Sequence, residues 1–149
     1  MPRSQGTGKI LENFVVDIFA SKNYLEVPQV RFEPSKTLEQ PIFAKQFHTG
    51  TNIYNKNRYV DFIAYHPVKQ PQGLVIQCKW QSSSGSVEEK YPFEVLSIFK
   101  DTIPAIVILD GGGYSEGAKN WLVDQANNGS YLIGVFDQGE FIRWSKNRL

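Results

Sequence analysis

Cysteine occurs once in the 149 residues, as Cys78, and histidine twice, as His48 and His66. A lone cysteine excludes an internal disulfide and a cysteine-rich zinc site, and His48 alone makes no metal site. His66, next to Pro67, reads as a turn residue. Net charge is nearly missing as well, because 16 Lys and Arg against 15 Asp and Glu leave only +1. Without a global basic field, any hold on a polyanion must come from local patches or a bound cation. No apolar run approaches the length of a membrane span, and Met1 to Gly8 lacks the apolar core of a signal peptide, so no membrane association and a cytoplasmic location are expected. Gly111, Gly112 and Gly113 are not followed by a Lys-Ser or Lys-Thr pair, so the phosphate-loop pattern fails and the triplet reads as a strand-to-helix turn. Internal repeats and low-complexity segments are absent.

What is present fits one globular domain over residues 1–149, with 41% hydrophobic and 21% charged residues. A chain of this length buries roughly two-thirds of its unfolded surface. Leu11, Phe14, Val15, Ile18 and Phe19 recur at helical spacing, which predicts an amphipathic helix over Lys9 to Lys22. Tyr24 to Phe32 reads as a strand with an irregularity at Pro28. Ser86 and Glu89 spell a capping box ahead of a helix over Glu88 to Lys100, whose true first turn Pro92 can mark. Ile103 to Asp110 is an apolar run of strand length, Ser115 to Asn127 a helix, Tyr131 to Phe136 a strand, and Gly139 to Trp144 a further edge strand. This alternation predicts an α/β fold with a mixed sheet covered by helices on both faces.

Residues 33–57 show no clear period. Lys45, His48 and Lys56 are interleaved there with Phe43, Phe47 and Tyr54, and such a stretch reads as a DNA-recognition insertion, a solvated insertion, or a hairpin completing the sheet. Chemistry concentrates on Gly73 to Gln81. Side-chain alternation sends Leu74, Ile76, Cys78 and Trp80 to one face and Val75, Gln77 and Lys79 to the other. A buried lysine needs a carboxylate partner or a task requiring an ammonium in a cleft. Arg58 to Tyr65 is a second strand-like run carrying Asp61, and the Pro67, Pro71 and Gly73 turn chemistry between them predicts a hairpin. Pairing then gathers a carboxylate, an amide oxygen and an ammonium at one end of a sheet. Asp61 and the Gln77 oxygen suit Mg²⁺, and Lys79 suits a phosphate or an attacking water. Cys78, between them, reads as core rather than nucleophile.

At Asp61 and at the triplet Gln77-Cys78-Lys79 the chain resembles the PD-(D/E)XK nuclease superfamily, the fold of many restriction endonucleases, some homing endonucleases and Holliday-junction resolvases. It departs from the family pattern with Val60 before Asp61 and Gln77 in place of the second carboxylate. The resemblance implies a restriction-endonuclease-like core and a Mg²⁺-dependent endonuclease, Mn²⁺ being able to substitute, that cuts double-stranded DNA at specific sites in the restriction or homing manner. The implied catalytic group is Asp61, Gln77, Lys79 and Glu12 of the first helix, with metal on Asp61, Gln77, Glu12 and the Cys78 carbonyl. Glu12 reads equally as a first-turn residue favouring the helix dipole. DNA contacts are expected from Lys45, His48, Lys56, Arg58, Gln81 and Ser82. One site per chain and two strands to cut imply a homodimer or tetramer, of bacterial, phage or mobile-element origin. The alternatives are a junction resolvase or repair nuclease, an inactive nucleic-acid-binding module of the same fold, and an α/β enzyme acting on small molecules.

Overall fold

Strand-forming and helix-forming periods alternate along the chain, and the elements follow that alternation: α1 (Pro2–Ser21), β1 (Leu25–Glu26), α2 (Phe32–Ser35), β2 (Ile42–Thr51), β3 (Asn57–His66), β4 (Gln70–Trp80), α3 (Tyr91–Asp101), β5 (Ala105–Asp110), α4 (Glu116–Asp124), β6 (Leu132–Phe136) and α5 (Gln138–Arg148). The structure, a computed structural model, describes residues 2–83, 86–127 and 129–149, and the side chains of all of these except 2–7, 86 and 87. The expected Ser86–Glu89 capping box therefore lies outside the described residues.

The strands form one six-stranded sheet in the order β1-β2-β3-β4-β5-β6. Strands β2, β3 and β4 are joined by hairpins and run antiparallel, whereas β4, β5 and β6 are parallel and are linked through α3 and α4. That division follows from the connections, since a tight turn can only reverse a strand and a parallel step needs a crossover helix. On one face α1 and α5 bury Leu11, Val15, Phe19 and Phe141 against Phe62, Leu74, Ile76, Ile106 and Ile108. On the other, Val95 and Ile98 of α3 and Leu122 of α4 meet Ile63, Val75, Val107 and Leu109. Each fully buried side chain of this size contributes roughly 1.5–3 kcal/mol. Among the described residues no helix is long and apolar enough to cross a membrane.

Three expectations are corrected. The strand expected over Tyr24 to Phe32 reduces to Leu25–Glu26; Val27 N–H still donates to Phe43 O at 2.9 Å, but Pro28 has no N–H to continue, and a 3-10 turn over Gln29–Arg31 follows. Within the aperiodic 33–57 stretch, Ile42–Thr51 form β2, with Ile42, Phe43 and Ala44 in the two cores, so of its three readings the hairpin completing the sheet describes this part rather than an insertion. Gln46, with φ of 49°, interrupts the two-residue period there and hides it from a pattern search. Finally, Gly139 to Trp144 lies in helix α5. Asp137 accepts from the Glu140 N–H at 2.8 Å and Glu140 accepts from the Asp137 N–H at 2.9 Å, a reciprocal cap that starts a helix and not a strand.

The glycine triplet closes the sheet end nearest the Asp61–Lys79 region. Gly113 N–H donates to Gln81 O at 2.7 Å, and Gly111, at φ of +106°, sits so near β4 that a Cβ would meet Gln81 O at 2.5 Å. Gly111→Ala is therefore expected to cost about 1–3 kcal/mol through strain and backbone displacement. Urea unfolding of the variant measures it, and a midpoint equal to the parent's would show that the two strand ends can part freely.

Candidate active site

The backbone ladder between β3 and β4 stops at the pair Phe62↔Ile76. Beyond it, β4 stays paired with β5 as far as Trp80↔Asp110, while β3 stays paired with β2. The strands thus part just where Asp61 faces Gln77 and Cys78, and buried backbone N–H groups at such a fork must find other acceptors. Side chains supply them. Gln77 Oε1 accepts from the Asp61 N–H at 2.7 Å, and Asp61 Oδ2 accepts from the Cys78 N–H at 2.8 Å. Asp61 also falls, opposite Gln46, in a break between the pairs Lys45↔Phe62 and Phe47↔Val60, which frees it from the regular alternation.

Behind the fork, on the α3 face, stands Glu94. Its Oε1 lies 3.2 Å from Lys79 Nζ, and its Oε2 accepts from Arg58 Nη2 at 3.0 Å and from Gln77 Nε2 at 3.1 Å. Arg58 turns its Nε to both oxygens of Asp101, at 3.0 and 2.9 Å, and Asp101 also accepts from Thr49 Oγ1 at 2.8 Å. These groups are mostly inside: the side chains of Arg58, Glu94 and Asp101 are 6%, 8% and 2% exposed, and only that of Lys79, at 31%, reaches solvent. Burial alone would raise the Glu94 carboxyl, but Lys79, Arg58 and the hydrogen bonds from Gln77 and Arg58 outweigh it and hold the group below its ordinary value. Asp61 moves the other way. Its burial, together with the charges of Glu12 and Glu94, raises it in spite of the Cys78 N–H and Lys79. The Cys78 thiol is pushed far up, mainly by burial and then by Asp61 and Glu12, so it has no thiolate character to offer as a nucleophile.

Asp61, Gln77, Cys78 and Lys79 are therefore gathered at one fork, with Glu12 approaching from α1 closely enough for its charge to act on Asp61 and Cys78. Gln77, expected as a metal ligand, gives its oxygen to a backbone N–H and its nitrogen to Glu94. Two expected DNA contacts are also displaced. Arg58 is sealed in its ion pairs, and Gln81 is buried, accepting from Tyr91 Oη at 2.6 Å and donating to Ser83 O at 3.2 Å. Lys45, His48, Lys56 and Ser82 are exposed, with Lys45 3.6 Å from Glu26 and the His48 ring 5.1 Å from that of Tyr59. Glu94 and Asp101 had no place in the sequence reading. The signal for Glu94 was available: it sits three residues after Tyr91 and four before Ile98, on the buried side of its own helix.

The family model of the PD-(D/E)XK nuclease superfamily domain matches residues 3–149. The chain belongs to the PD-(D/E)XK nuclease superfamily. No curated protein and no solved structure matches it. The six-stranded mixed sheet with helices on both faces is the restriction-endonuclease-like core. Divalent metals are typical of such nucleases. Among the described residues no three His, Cys, Asp or Glu side chains converge as a metal cage. A smaller donor set does fit a hard cation that keeps several waters: the Asp61 carboxylate and the Cys78 carbonyl, which on a strand faces the same gap as its N–H.

The buried network has a measurable consequence. Arg58→Met leaves Glu94 and Asp101 without their shared cation, and breaking a buried pair from one side typically costs about 3–5 kcal/mol. Glu94 is lowered on folding, so the stability it supplies is complete above the unfolded carboxyl value and drains as pH falls through the folded one. The difference between parent and variant in denaturant unfolding should hence be largest at neutral pH and shrink below about pH 4. A constant difference of under about 1 kcal/mol would mean the network contributes little.

Proposed function

We propose that this PD-(D/E)XK domain is a Mg²⁺-dependent endonuclease that cuts double-stranded DNA at specific sites, in the restriction or homing manner. The reading is carried by one observation, the Asp61 carboxylate bonded at a fork in the sheet to the N–H of Cys78, the residue before the partly exposed Lys79. Asp61, the Cys78 carbonyl and Glu12 would hold Mg²⁺ or Mn²⁺, which supplies Lewis-acid charge for the scissile phosphate and lowers the pKa of a bound water. Lys79 orients the attacking water and places positive charge beside the developing phosphorane oxygens. Glu94 behind it pairs with the ammonium at 3.2 Å. Apolar neighbours on both faces of β4 exclude bulk water from the inner side of the fork.

DNA would be gripped along the β2–β3 ribbon, where Lys45, His48 and Lys56 are exposed, and by Ser82 beyond the end of β4. With one site per chain, cutting both strands calls for a twofold dimer or a tetramer of such dimers. A second reading, a DNA-binding module without activity, is favoured by one detail: position 77 is neutral and Glu94 is committed to Lys79, Arg58 and Gln77. A structure-selective resolvase or repair nuclease would keep the chemistry and change the target.

Incubation with mixed plasmid and genomic DNA, with Mg²⁺ or with a chelator, followed by sequencing of the ends, separates these readings. Cleavage at a recurring sequence supports the proposal, cleavage only at junctions moves it to the resolvase class, and binding with no cut under any divalent metal rejects the enzyme. Given activity, Lys79→Ala should lower cleavage by about 10²-fold or more with DNA binding kept, since the residue acts in the chemical step. Activity within tenfold of the parent would remove Lys79 from that role. Replacing Lys45 and Lys56 together should reduce the salt dependence of DNA binding by about two counterions. An unchanged slope would take the ribbon out of the DNA contact.

A further inference from the structure

We propose that Glu94 is the positioning residue for Lys79, and that residue 77 is glutamine because it must serve Glu94 rather than a metal. The inference rests on the nuclease reading of Asp61 and Lys79 and assigns the carboxylate that the strand position lacks. A lysine side chain has four rotatable bonds, and an ammonium left to solvent would spread over many positions. Here Lys79 Nζ lies 3.2 Å from one oxygen of a carboxylate that is itself immobilised. The immobilisation comes from the other oxygen, which takes Arg58 Nη2 at 3.0 Å and Gln77 Nε2 at 3.1 Å. Arg58 cannot swing away, because its Nε is fixed on Asp101. The orientation of Glu94 is thereby set from β3, β4 and its own helix α3.

The role of Gln77 follows from donor and acceptor arithmetic. Position 77 must accept from the Asp61 N–H and donate to Glu94. A glutamine amide does both, whereas a glutamate, having no donor, would set two carboxylates against each other in a buried site. A ligand role for Glu94 is disfavoured by the same geometry, since each of its oxygens already faces at least one cation or amide. The acidic group of the motif has in effect moved from strand to helix and changed its task from holding metal to holding the lysine.

Two measurements on the full chain test this. The first needs no activity: in ¹H–¹⁵N spectra the Lys79 ammonium should give a signal slowed in exchange by its acceptor, lost in Glu94→Gln. A Lys79 signal identical in both proteins would overturn the proposal. The second uses cleavage. Glu94→Gln should lower kcat by about 10²-fold, the effect of a mispositioned group, while KM for DNA and the Mg²⁺ concentration at half activity stay unchanged. Gln77→Glu alone should also be impaired, and the exchange Gln77→Glu with Glu94→Gln, which returns one carboxylate and one amide to the cluster, should regain part of the loss. It also serves if Glu94→Gln alone fails to fold. Activity of Glu94→Gln restored by raising Mg²⁺ would make Glu94 a ligand and reject the positioning role, as would a Gln77→Glu variant with parental kcat. A parent protein that cuts no DNA counts against the nuclease reading alone, and the ammonium signal still decides the Lys79–Glu94 pairing.

Discussion

A carboxylate buried as deeply as Glu94 persists as an anion only if the surrounding donors repay its lost hydration, and here they come from two strands at once. That requirement ties distant parts of the chain together. Arg58 enters from the start of β3, Gln77 and Lys79 from the end of β4, and Asp101 from the last turn of α3 to satisfy Arg58 in turn. Thr49 of β2 joins through Asp101. The four central charges cancel, two carboxylates against two cations. The unbalanced negative charge at the fork is consequently that of Asp61 with Glu12 nearby, which is the charge a divalent cation would meet.

The fork itself is a product of topology. A strand that pairs antiparallel on one side and parallel on the other belongs to two differently built half-sheets, and β4 is that strand. Where its last residues follow β5 and the first residues of β3 follow β2, the ladder between β3 and β4 cannot continue. An open ladder inside a protein would normally be a defect, because each unpaired N–H costs free energy. Here the gap is filled by Asp61 and Gln77, and the filling bonds the Asp61 carboxylate to the residue before Lys79 at the sheet end. Gly111 and Gly113 let the β5–α4 turn close against Gln81 and hold the end of β4 in place.

Much of this was legible beforehand, for identifiable reasons. The runs around Asp61 and Lys79 are long and β-branched, the turn between them has two prolines, and β5 is unbrokenly apolar, so the hairpin and the parallel core followed from period and punctuation. Alternation also put Gln77 and Lys79 on one face, as found. Strand β2 was only one of three readings of its stretch, because Gln46, in a left-handed conformation, breaks its alternation. Helix α5 was readable, since Asp137 and Glu140 have capping-box spacing, but the aromatic content of Phe141 to Trp144 suggested a strand. At the site, residue types indicated which side chains carry chemistry but not which ones neutralise them. Arg58 and Gln81 look like surface groups in sequence, and only the third dimension supplies the buried acceptors that draw them inside.

The same network leaves the net charge of +1 untouched, because its two cations and two carboxylates cancel. A cation locked to a buried carboxylate adds nothing to the long-range field, so Arg58 and its partners are silent toward a polyanion. Among the exposed cations, Lys45 on β2 and Lys56 in the β2–β3 turn lie on the same ribbon as Arg58. Arg58 and Thr49 belong to that ribbon and reach Asp101, and Arg58 also reaches Glu94, so the ribbon is tied to the acceptor of Lys79. Stiffness there is therefore a condition for keeping the ammonium in place, and it is supplied by paired charges rather than by added apolar core.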